Sequence, residues 1–356
     1  MIESEYRKAD GINYSLLKQV ADSPYSIINK KDISNLPSVK QGNLLDTRME
    51  GLDLFDENYV YFDGEIPTAT TLKLANAVIA SAKTMEIKPD TSFVLSLIEE
   101  VNSSDCDPTE KYWAATKTTG TGDKEVTQES KFLMKFDDAL FWKYVNFHFD
   151  HPEKFMITKE IYDNVNDAHD LLKTHEFTTG IFDRELIFQK DIYFTMKLAY
   201  RSEVEEDKDE ILEVDFKILP DMITIDHEAK IIYPYDFKFL NGASPHKFWS
   251  YFFQKKYYIQ SSLYSMGVKR WAAENYPEYK SYPYQFLVVG DKNLSYPLIF
   301  NPISFITLGF EGFDRNGINH PGIKQLVKDY DWHLENNLWE HTRELYESKG
   351  VINLRM

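Results

Sequence analysis

Apolar positions recur at helical spacing through much of the first half of the chain. Ser23-Pro24 interrupts the first helical segment, because a helix usually ends before a proline. The stretch 102–129 is polar and rich in Thr, Gly and Asp, which predicts an exposed insert with one short helix around Tyr112-Trp113. Residues 1–180 are therefore expected to be mainly helical, with helices within 13–28, 40–50, 70–83, 91–101, 128–147 and 158–172.

From Arg184 the pattern changes to short runs of β-branched and aromatic residues separated by polar turns. These runs predict an antiparallel meander of about four strands, drawn from 185–189, 192–198, 211–218, 222–225 and 230–239. A long helix at 249–271, late strands at 284–289 and 295–300, and a closing helix at 323–345 follow.

These elements predict one α/β (α+β) domain over 1–356, with a central mixed sheet, an antiparallel hairpin core and flanking helices. The catalytic sheet and helix are expected in 181–300, and a helical tail in 301–356.

The composition excludes several kinds of site. No run approaches the roughly 18 consecutive apolar residues of a membrane helix, and the polar first eight residues make a secretory signal unexpected. Cys106 is the only cysteine, which excludes an internal disulfide, a Cys-rich zinc site and a four-Cys iron–sulfur cluster. Together these features predict a cytoplasmic protein that makes no use of a membrane.

The net charge of −17 opposes binding to nucleic acid at long range. The acid is concentrated, however, in segments such as 203–210, which is expected to form a solvated hairpin loop. Lysines crowd other parts of the second half of the chain. We therefore hypothesise a basic cleft in an otherwise acidic protein, with four candidate DNA-contacting lysines: Lys217, Lys247, Lys255 and Lys256.

Asp221 and Asp236 lie 15 positions apart across a predicted turn at 226–229, so their carboxylates can converge on one cation. Asp236 and Lys238 are related by i, i+2 and project from the same strand face. A divalent cation would relieve the repulsion between the two carboxylates, bind a phosphate and lower the pKa of a bound water. Lys238 would orient that water. The alternative is an ordinary hairpin with surface charges, which a lone Asp-x-Lys does not exclude.

The chain carries this tripeptide twice, as Asp215-Phe216-Lys217 and as Asp236-Phe237-Lys238. Only the second copy follows a Pro-Asp at hairpin distance and precedes a helix with Gln260 and Tyr264 on one face. We therefore assign the chemistry to the second copy and place the first on the partner strand, with Lys217 still able to face DNA. The Gln260 amide is expected to hydrogen bond a metal-bound water or a phosphate.

The order Pro-Asp, Asp-x-Lys, Gln-x-x-x-Tyr resembles the PD-(D/E)xK nuclease superfamily. More narrowly it resembles the exodeoxyribonuclease VIII (RecE-type) group and its phage or prophage relatives in the RecB-like branch. Segments 11–24, 41–46 and 112–127 resemble that group's N-terminal helix, its Gly-x-x-x-His helix and its polar insert. Two positions differ: Asp46 stands where the family has a His, and Leu219 where an Arg often precedes Pro-Asp.

The resemblance implies a Mg²⁺-dependent (or Mn²⁺-dependent) exonuclease that hydrolyses DNA from duplex ends in the 5′-to-3′ direction during recombination, and that is of phage origin. It also implies a homo-oligomeric ring and a single-strand annealing protein as partner. The residues it implies are Asp221, Asp236, Lys238 and Gln260 for catalysis, Asp46, Asp221, Asp236 and the Phe237 carbonyl for the metal, and Glu185 and Tyr264 in support.

Two alternative functions remain open. The same site is compatible with an endonuclease, and the fold with a catalytically silent module that binds DNA or protein. For the single residues, the alternatives are that Asp46 merely caps or solvates its helix and that Glu185 is an ordinary surface residue at a strand edge.

Overall fold

The computed structural model describes residue 6 and residues 8–29, 37–103, 118–119, 126–127, 139–201, 209–290 and 296–351. The predicted helix around Tyr112-Trp113 and most of the acidic loop 203–210 lie outside these residues. Contacts divide the chain into two compact units, one formed by Met1–Gly51 with Asn164–Met356 and the other by Leu52–Asp163. The single domain expected from the sequence, with a change of character near residue 180, stays a prediction.

Helices form where apolar residues recur at helical spacing. In chain order they are α1 Tyr14–Asp22, α2 Tyr25–Ile28, α3 Pro37–Glu50, α4 Leu52–Asn58, α5 Ala69–Thr84, α6 Thr91–Ser103, α7 Ala139–Asp150, α8 Lys159–Thr174, α9 Thr179–Phe182, α10 Pro245–Gln254, α11 Tyr257–Asn275, α12 Phe305–Glu311, α13 Ile323–Asn336 and α14 Arg343–Glu347.

Strands occupy the β-branched and aromatic runs. They are β1 Tyr59–Phe62, β2 Thr118–Thr119, β3 Val126–Thr127, β4 Phe155–Thr158, β5 Glu185–Phe188, β6 Ile192–Arg201, β7 Asp209–Ile218, β8 Met222–Asp226, β9 Ile231–Phe239, β10 Lys280–Ser281, β11 Gln285–Val289, β12 Leu298–Phe300, β13 Gly312–Arg315 and β14 Ile318–Pro321.

The larger unit is built on a mixed sheet with the strand order β12-β11-β9-β8-β5, and β10 also pairs with β9. β8 and β9 form an antiparallel hairpin in which Met222 lies opposite Tyr235. β11 runs parallel to β9, with Phe286 beside Asp236, and β12 is antiparallel to β11. The expected α/β (α+β) class is confirmed, since a mixed sheet with an antiparallel hairpin core is flanked by helices.

The predicted single meander is wrong in its connections, although its strands are where the sequence placed them. β6 and β7 pair only with each other within the described sheets, and β5 pairs directly with β8. The β6–β7 ribbon packs against α11 at Gly267, where an added Cβ would lie 2.5 Å from Ile218 Cδ1 and 2.6 Å from Phe194. Pairing between distant runs cannot be read from their sequence, because all of them share the same alternation.

The predicted helix 249–271 is two helices, α10 and α11. Lys256 between them has a φ of 57°, a left-handed conformation that cannot continue a right-handed helix. The predicted closing helix likewise ends at Asn336, followed by Asn337 at φ 52°. By contrast, the break at Ser23-Pro24 and the cap of α1 by the Asn13 side chain follow the sequence, with Leu16 N–H donating to Asn13 at 2.9 Å.

Successive side chains of β9 point to opposite faces of the sheet, and the two faces have different neighbours. Tyr235 and Phe237 pack into a cluster with Leu45 of α3 and with Leu172 of α8. The opposite face of the sheet meets a second cluster that includes Ile259 and Leu263 of α11. Asp236 therefore lies on the side of β9 that faces α11.

The smaller unit, Leu52–Asp163, has its own core. β1 and β4 pair in parallel, with Tyr59 beside Phe155. Phe62, Val78 and Phe141 are almost completely buried among the helices of this unit. None of the helices in the described parts of either unit has the length and apolar character needed to span a bilayer.

Candidate active site

Asp236 is a nearly inaccessible carboxylate at the centre of the sheet, with only 1% of its surface exposed. Its Oδ1 accepts a hydrogen bond from Gln260 Nε2 at 2.5 Å and another from the Tyr284 hydroxyl at 3.0 Å. Its Oδ2 forms an ion pair with the Lys238 ammonium. Burying an ionised carboxylate is costly unless it is paired and hydrogen-bonded. Oδ1 has two hydrogen-bond donors and Oδ2 has the charge of Lys238, while among the described residues Oδ2 accepts no hydrogen bond.

Asp221 lies just before β8 and is held next to Asp236. Its Oδ2 accepts a hydrogen bond of 2.9 Å from the backbone N–H of Phe237. Burial, followed by the charge of Asp236, raises the pKa of Asp221 to about 8. The structure thus brings the two aspartates of the predicted pair together, and their mutual repulsion shows in the pKa. The hydrogen bond involves the N–H of Phe237; a metal-binding role for its carbonyl stays a prediction.

Asp46 belongs to the same group of carboxylates. It lies on α3, which packs against β9. Burial, followed by the charge of Asp221, raises the pKa of Asp46 well above its usual value. Within the described part of the chain, its buried Oδ1 has no hydrogen-bond partner. Glu50, one turn further along α3, also acts electrostatically on Asp46 and Asp221.

Among the described residues, no three His, Cys, Asp or Glu side chains are arranged as a ready-made metal site. Asp236 is already engaged by Lys238, Gln260 and Tyr284, and Asp221 by the Phe237 backbone. The donor chemistry nevertheless fits a hard divalent cation. Asp221 and Asp236 both act electrostatically on Asp46, and the orphaned oxygen of Asp46 would gain a partner.

Lys238 supplies the positive charge of this centre. Burial alone would lower the pKa of its ammonium, but Asp236, Tyr257 and Asp221 together raise the pKa above its usual value. The Nζ atom also lies 5.1 Å from the centroid of the Tyr257 ring. Lys238 is therefore charged at any physiological pH and is held on the same strand face as Asp236.

Several tyrosines enclose the two aspartates, and of these only Tyr264 had been singled out from the sequence. Burial is the largest cause that raises the pKa of four tyrosines, Tyr14, Tyr257, Tyr264 and Tyr284. The backbone of Leu219 hydrogen bonds the Tyr264 hydroxyl, and the Tyr264 ring packs on Tyr284 at 4.8 Å between centroids. Tyr284 was missed because it comes from a distant part of the chain with no recognisable motif, and Tyr14 because segment 11–24 was recognised without a role for its tyrosine.

Lys217 is not available to DNA, so that expectation is wrong. Only 5% of the residue is exposed, and its ammonium donates to the backbone carbonyls of Tyr6 and Ala9. It lies on β7, which pairs with β6 and not with the strand of Asp236. The first Asp-Phe-Lys copy therefore ties the segment before α1 to the ribbon.

The other three predicted DNA-binding lysines differ in what they contact. The Lys247 ammonium donates to the carbonyl of Asn241, and Lys256 forms an ion pair with Asp22. Lys255 lies 5.8 Å from the ring of Tyr251. Whether they bind DNA stays a prediction.

Lys18 is a basic residue near the site that the sequence analysis missed. On α1 it shares a face with Tyr14 and Asp22, four residues to either side. The Tyr14 hydroxyl donates to the Lys255 carbonyl at 2.5 Å and Asp22 pairs with Lys256, so this face of α1 contacts the junction of α10 and α11. Burial, followed by Lys255, lowers the pKa of Lys18, and Lys238 adds to the effect.

Glu185 does not support the site, contrary to expectation. Antiparallel pairing places it opposite Ile225, at the far end of β8 from Asp221. Its carboxylate contacts the imidazole of His227 in the β8–β9 turn, with Oε2 and Nε2 2.6 Å apart. Nearly half of the Glu185 side chain is exposed. It is therefore a residue of the hairpin turn, which supports the alternative of an ordinary strand-edge residue.

No protein-family model matches the chain, and none of the curated proteins matches it. Among solved structures, it is similar to the crystal structure of a "Putative exonuclease" from Eubacterium rectale. The two share 12% identity over 66% of this chain and 79% of the other, with a TM-score of 0.31. A similarity of that strength supports no inference about function.

Proposed function

We propose that this protein is a metal-dependent deoxyribonuclease. The observation that carries the proposal is the pair formed by the partly buried Asp221 and the buried Asp236, with Lys238 on the same strand face as Asp236 and with Asp46 of α3 near enough to act electrostatically on both. Buried carboxylates with raised pKa values beside a fixed ammonium are typical of functional sites.

Asp46, Asp221 and Asp236, with the Phe237 carbonyl, would hold Mg²⁺ or Mn²⁺. When bound, that cation would polarise a phosphate and supply a nucleophilic water at neutral pH. Lys238 adds a fixed positive charge that offsets the charge developing on the phosphate. Within the described residues the Gln260 Oε1 has no hydrogen-bond partner, so it is able to accept a hydrogen bond from a water in the site.

Lys18 and Lys255 are suited to the DNA backbone. Within the described residues neither forms an ion pair with a carboxylate, and both are partly buried beside Lys238 and Lys256. Clustered like charges repel one another, and a phosphate between them would remove that repulsion. The acidic net charge of the protein is thereby compatible with a local basic surface.

The finer assignments depend on the resemblance to RecE-type exonucleases. These are exonucleolytic cleavage from duplex ends, 5′-to-3′ polarity, a role in recombination, a phage origin, a cytoplasmic setting, a homo-oligomer and an annealing partner. They form part of the proposal and follow from no distance or contact described above.

The deciding experiment uses linear and covalently closed circular duplex DNA, each with Mg²⁺, Mn²⁺ or EDTA. We expect loss of linear DNA with either metal, intact circles, and no reaction in EDTA. Asp236→Asn protein from the same preparation controls for a contaminating nuclease. Cutting of circles would identify an endonuclease with the same site. Binding of DNA without any cleavage would instead indicate the catalytically silent module.

A further inference from the structure

Tyr284 lies immediately before β11 and reaches the central carboxylate from a different direction than Gln260. We propose that Tyr284 is a positioning residue, whose hydroxyl holds Asp236 in the orientation that presents Oδ2 to Lys238 and to the cation. This inference rests on the proposed function, since it assigns Tyr284 a role toward the same metal.

The hydrogen bond joins two fully buried groups. Tyr284 is 0% exposed, and its hydroxyl donates to Asp236 Oδ1 at 3.0 Å. Gln260 Nε2 donates to the same oxygen at 2.5 Å. An oxygen with two donors from separate elements, one on α11 and one beside β11, is fixed in place. The second oxygen, Oδ2, is thereby turned toward Lys238.

The tyrosine itself is held firmly. Its backbone N–H donates to Ser265 Oγ on α11 at 2.9 Å. Its ring packs on Tyr264 at 4.8 Å and edge-on against Phe286 at 5.8 Å. Tyr264 in turn accepts a hydrogen bond from the backbone of Leu219. The contacts that hold Tyr284 therefore reach the segment that carries Asp221.

A single donor would leave the carboxylate less constrained, because the terminal torsion of Asp is broad. Partners that orient metal-binding carboxylates typically contribute about 10- to 100-fold to metal affinity. Removing the hydroxyl while keeping the ring should therefore weaken metal binding and leave the packing almost unchanged.

The test compares Tyr284→Phe with the matched control Tyr282→Phe. The Tyr282 hydroxyl, two residues away, accepts a hydrogen bond from Asn301 Nδ2 at 2.9 Å and touches none of the carboxylates in the contacts described above. We expect Mn²⁺ affinity, measured by calorimetry, to fall about 10- to 100-fold in Tyr284→Phe and to stay at the wild-type value in Tyr282→Phe. Raising the Mg²⁺ concentration should restore most of the cleavage rate of Tyr284→Phe.

A double-mutant cycle separates positioning from a general loss of structure. If Tyr284 and Gln260 act through one oxygen, the effects of Tyr284→Phe and Gln260→Leu on Mn²⁺ affinity should not add. Wild-type Mn²⁺ affinity in Tyr284→Phe, or additive effects in the cycle, would overturn only the role proposed for Tyr284 and would leave the proposed function standing. A wild-type protein that binds no Mn²⁺ would overturn both this role and the proposed function.

Discussion

The two Asp-Phe-Lys copies are identical in residue type and opposite in environment. In the β9 copy the aspartate is buried and the lysine lies beside it, in contact with its carboxylate. In the β7 copy the aspartate is exposed and accepts a hydrogen bond from the Thr195 hydroxyl at 2.5 Å. There the lysine is the buried member, and it donates to backbone carbonyls.

The difference arises from the neighbours of each strand. β9 lies inside a sheet, so its polar face meets α11 and the segment of Asp221, and the carboxylates are forced together. Among the described strands β7 pairs only with β6, and the segment at Ile12 bridges its other edge, so Asp215 reaches solvent and Lys217 lies under the N-terminal segment. A motif therefore has chemical meaning only where the fold supplies the other groups.

Substituting the aspartates should give the largest difference in cleavage rate between the two Asp-Phe-Lys copies. Asp236→Asn is expected to reduce cleavage by more than about a thousandfold, since it removes the charge that both the cation and Lys238 use. Asp215→Asn should leave the cleavage rate within about twofold. Initial rates on linear duplex DNA with Mg²⁺ measure both. Equal losses in the two variants would show that the copies have been assigned the wrong roles.

The effects of substituting the two lysines should differ in kind as well as in magnitude. Lys238→Ala is expected to lower the cleavage rate by about two to three orders of magnitude, with folding and Mn²⁺ binding largely kept. Lys217→Ala should instead cost about 1–3 kcal/mol of unfolding free energy, because the buried carbonyl of Tyr6 and the partly buried carbonyl of Ala9 lose their donor. Its folded fraction should cleave normally. Urea denaturation and rates per folded molecule separate the two effects, and a lethal Lys217→Ala with normal stability would contradict them.

The smallest expected effect is a pH dependence confined to the β9 site. In the metal-free protein the pKa of Asp221 is raised from 3.8 to about 8, by burial first and Asp236 second. Between pH 4 and 8, roughly, the folded state holds a proton on Asp221 that the unfolded state has released. The unfolding free energy therefore falls as the pH rises through this range. Mn²⁺ affinity should rise over the same range, by up to about tenfold per unit, because the metal displaces that proton.

Calorimetry at several pH values measures this dependence. Asp221→Asn should weaken it to the part that Asp46 contributes, while Asp215→Asn should leave it unchanged. A wild-type affinity that does not change between pH 6 and 8 would show that the carboxylate is already ionised there.

The sequence predicted the positions of the strands from 185 to 239 and the Pro-Asp, Asp-x-Lys and Gln residues that meet at the site. These features could be predicted because the alternation of side chains and the order of motifs are local properties of the sequence. The pairing of β5 with β8, the break at Lys256 and the two faces of β9 were not. They depend on which of several similar surfaces pack together.

By itself, then, the sequence determined the class of fold and the nuclease-like order of Asp221, Asp236, Lys238 and Gln260. Only the tertiary structure decided that Lys217 is buried under the N-terminal segment, that Glu185 lies away from the carboxylates, and that Lys18 and Tyr284 lie close to them. The physical reason is that burial, hydrogen bonding and charge act between residues adjacent in space, and Tyr284 is 48 positions from Asp236 along the chain.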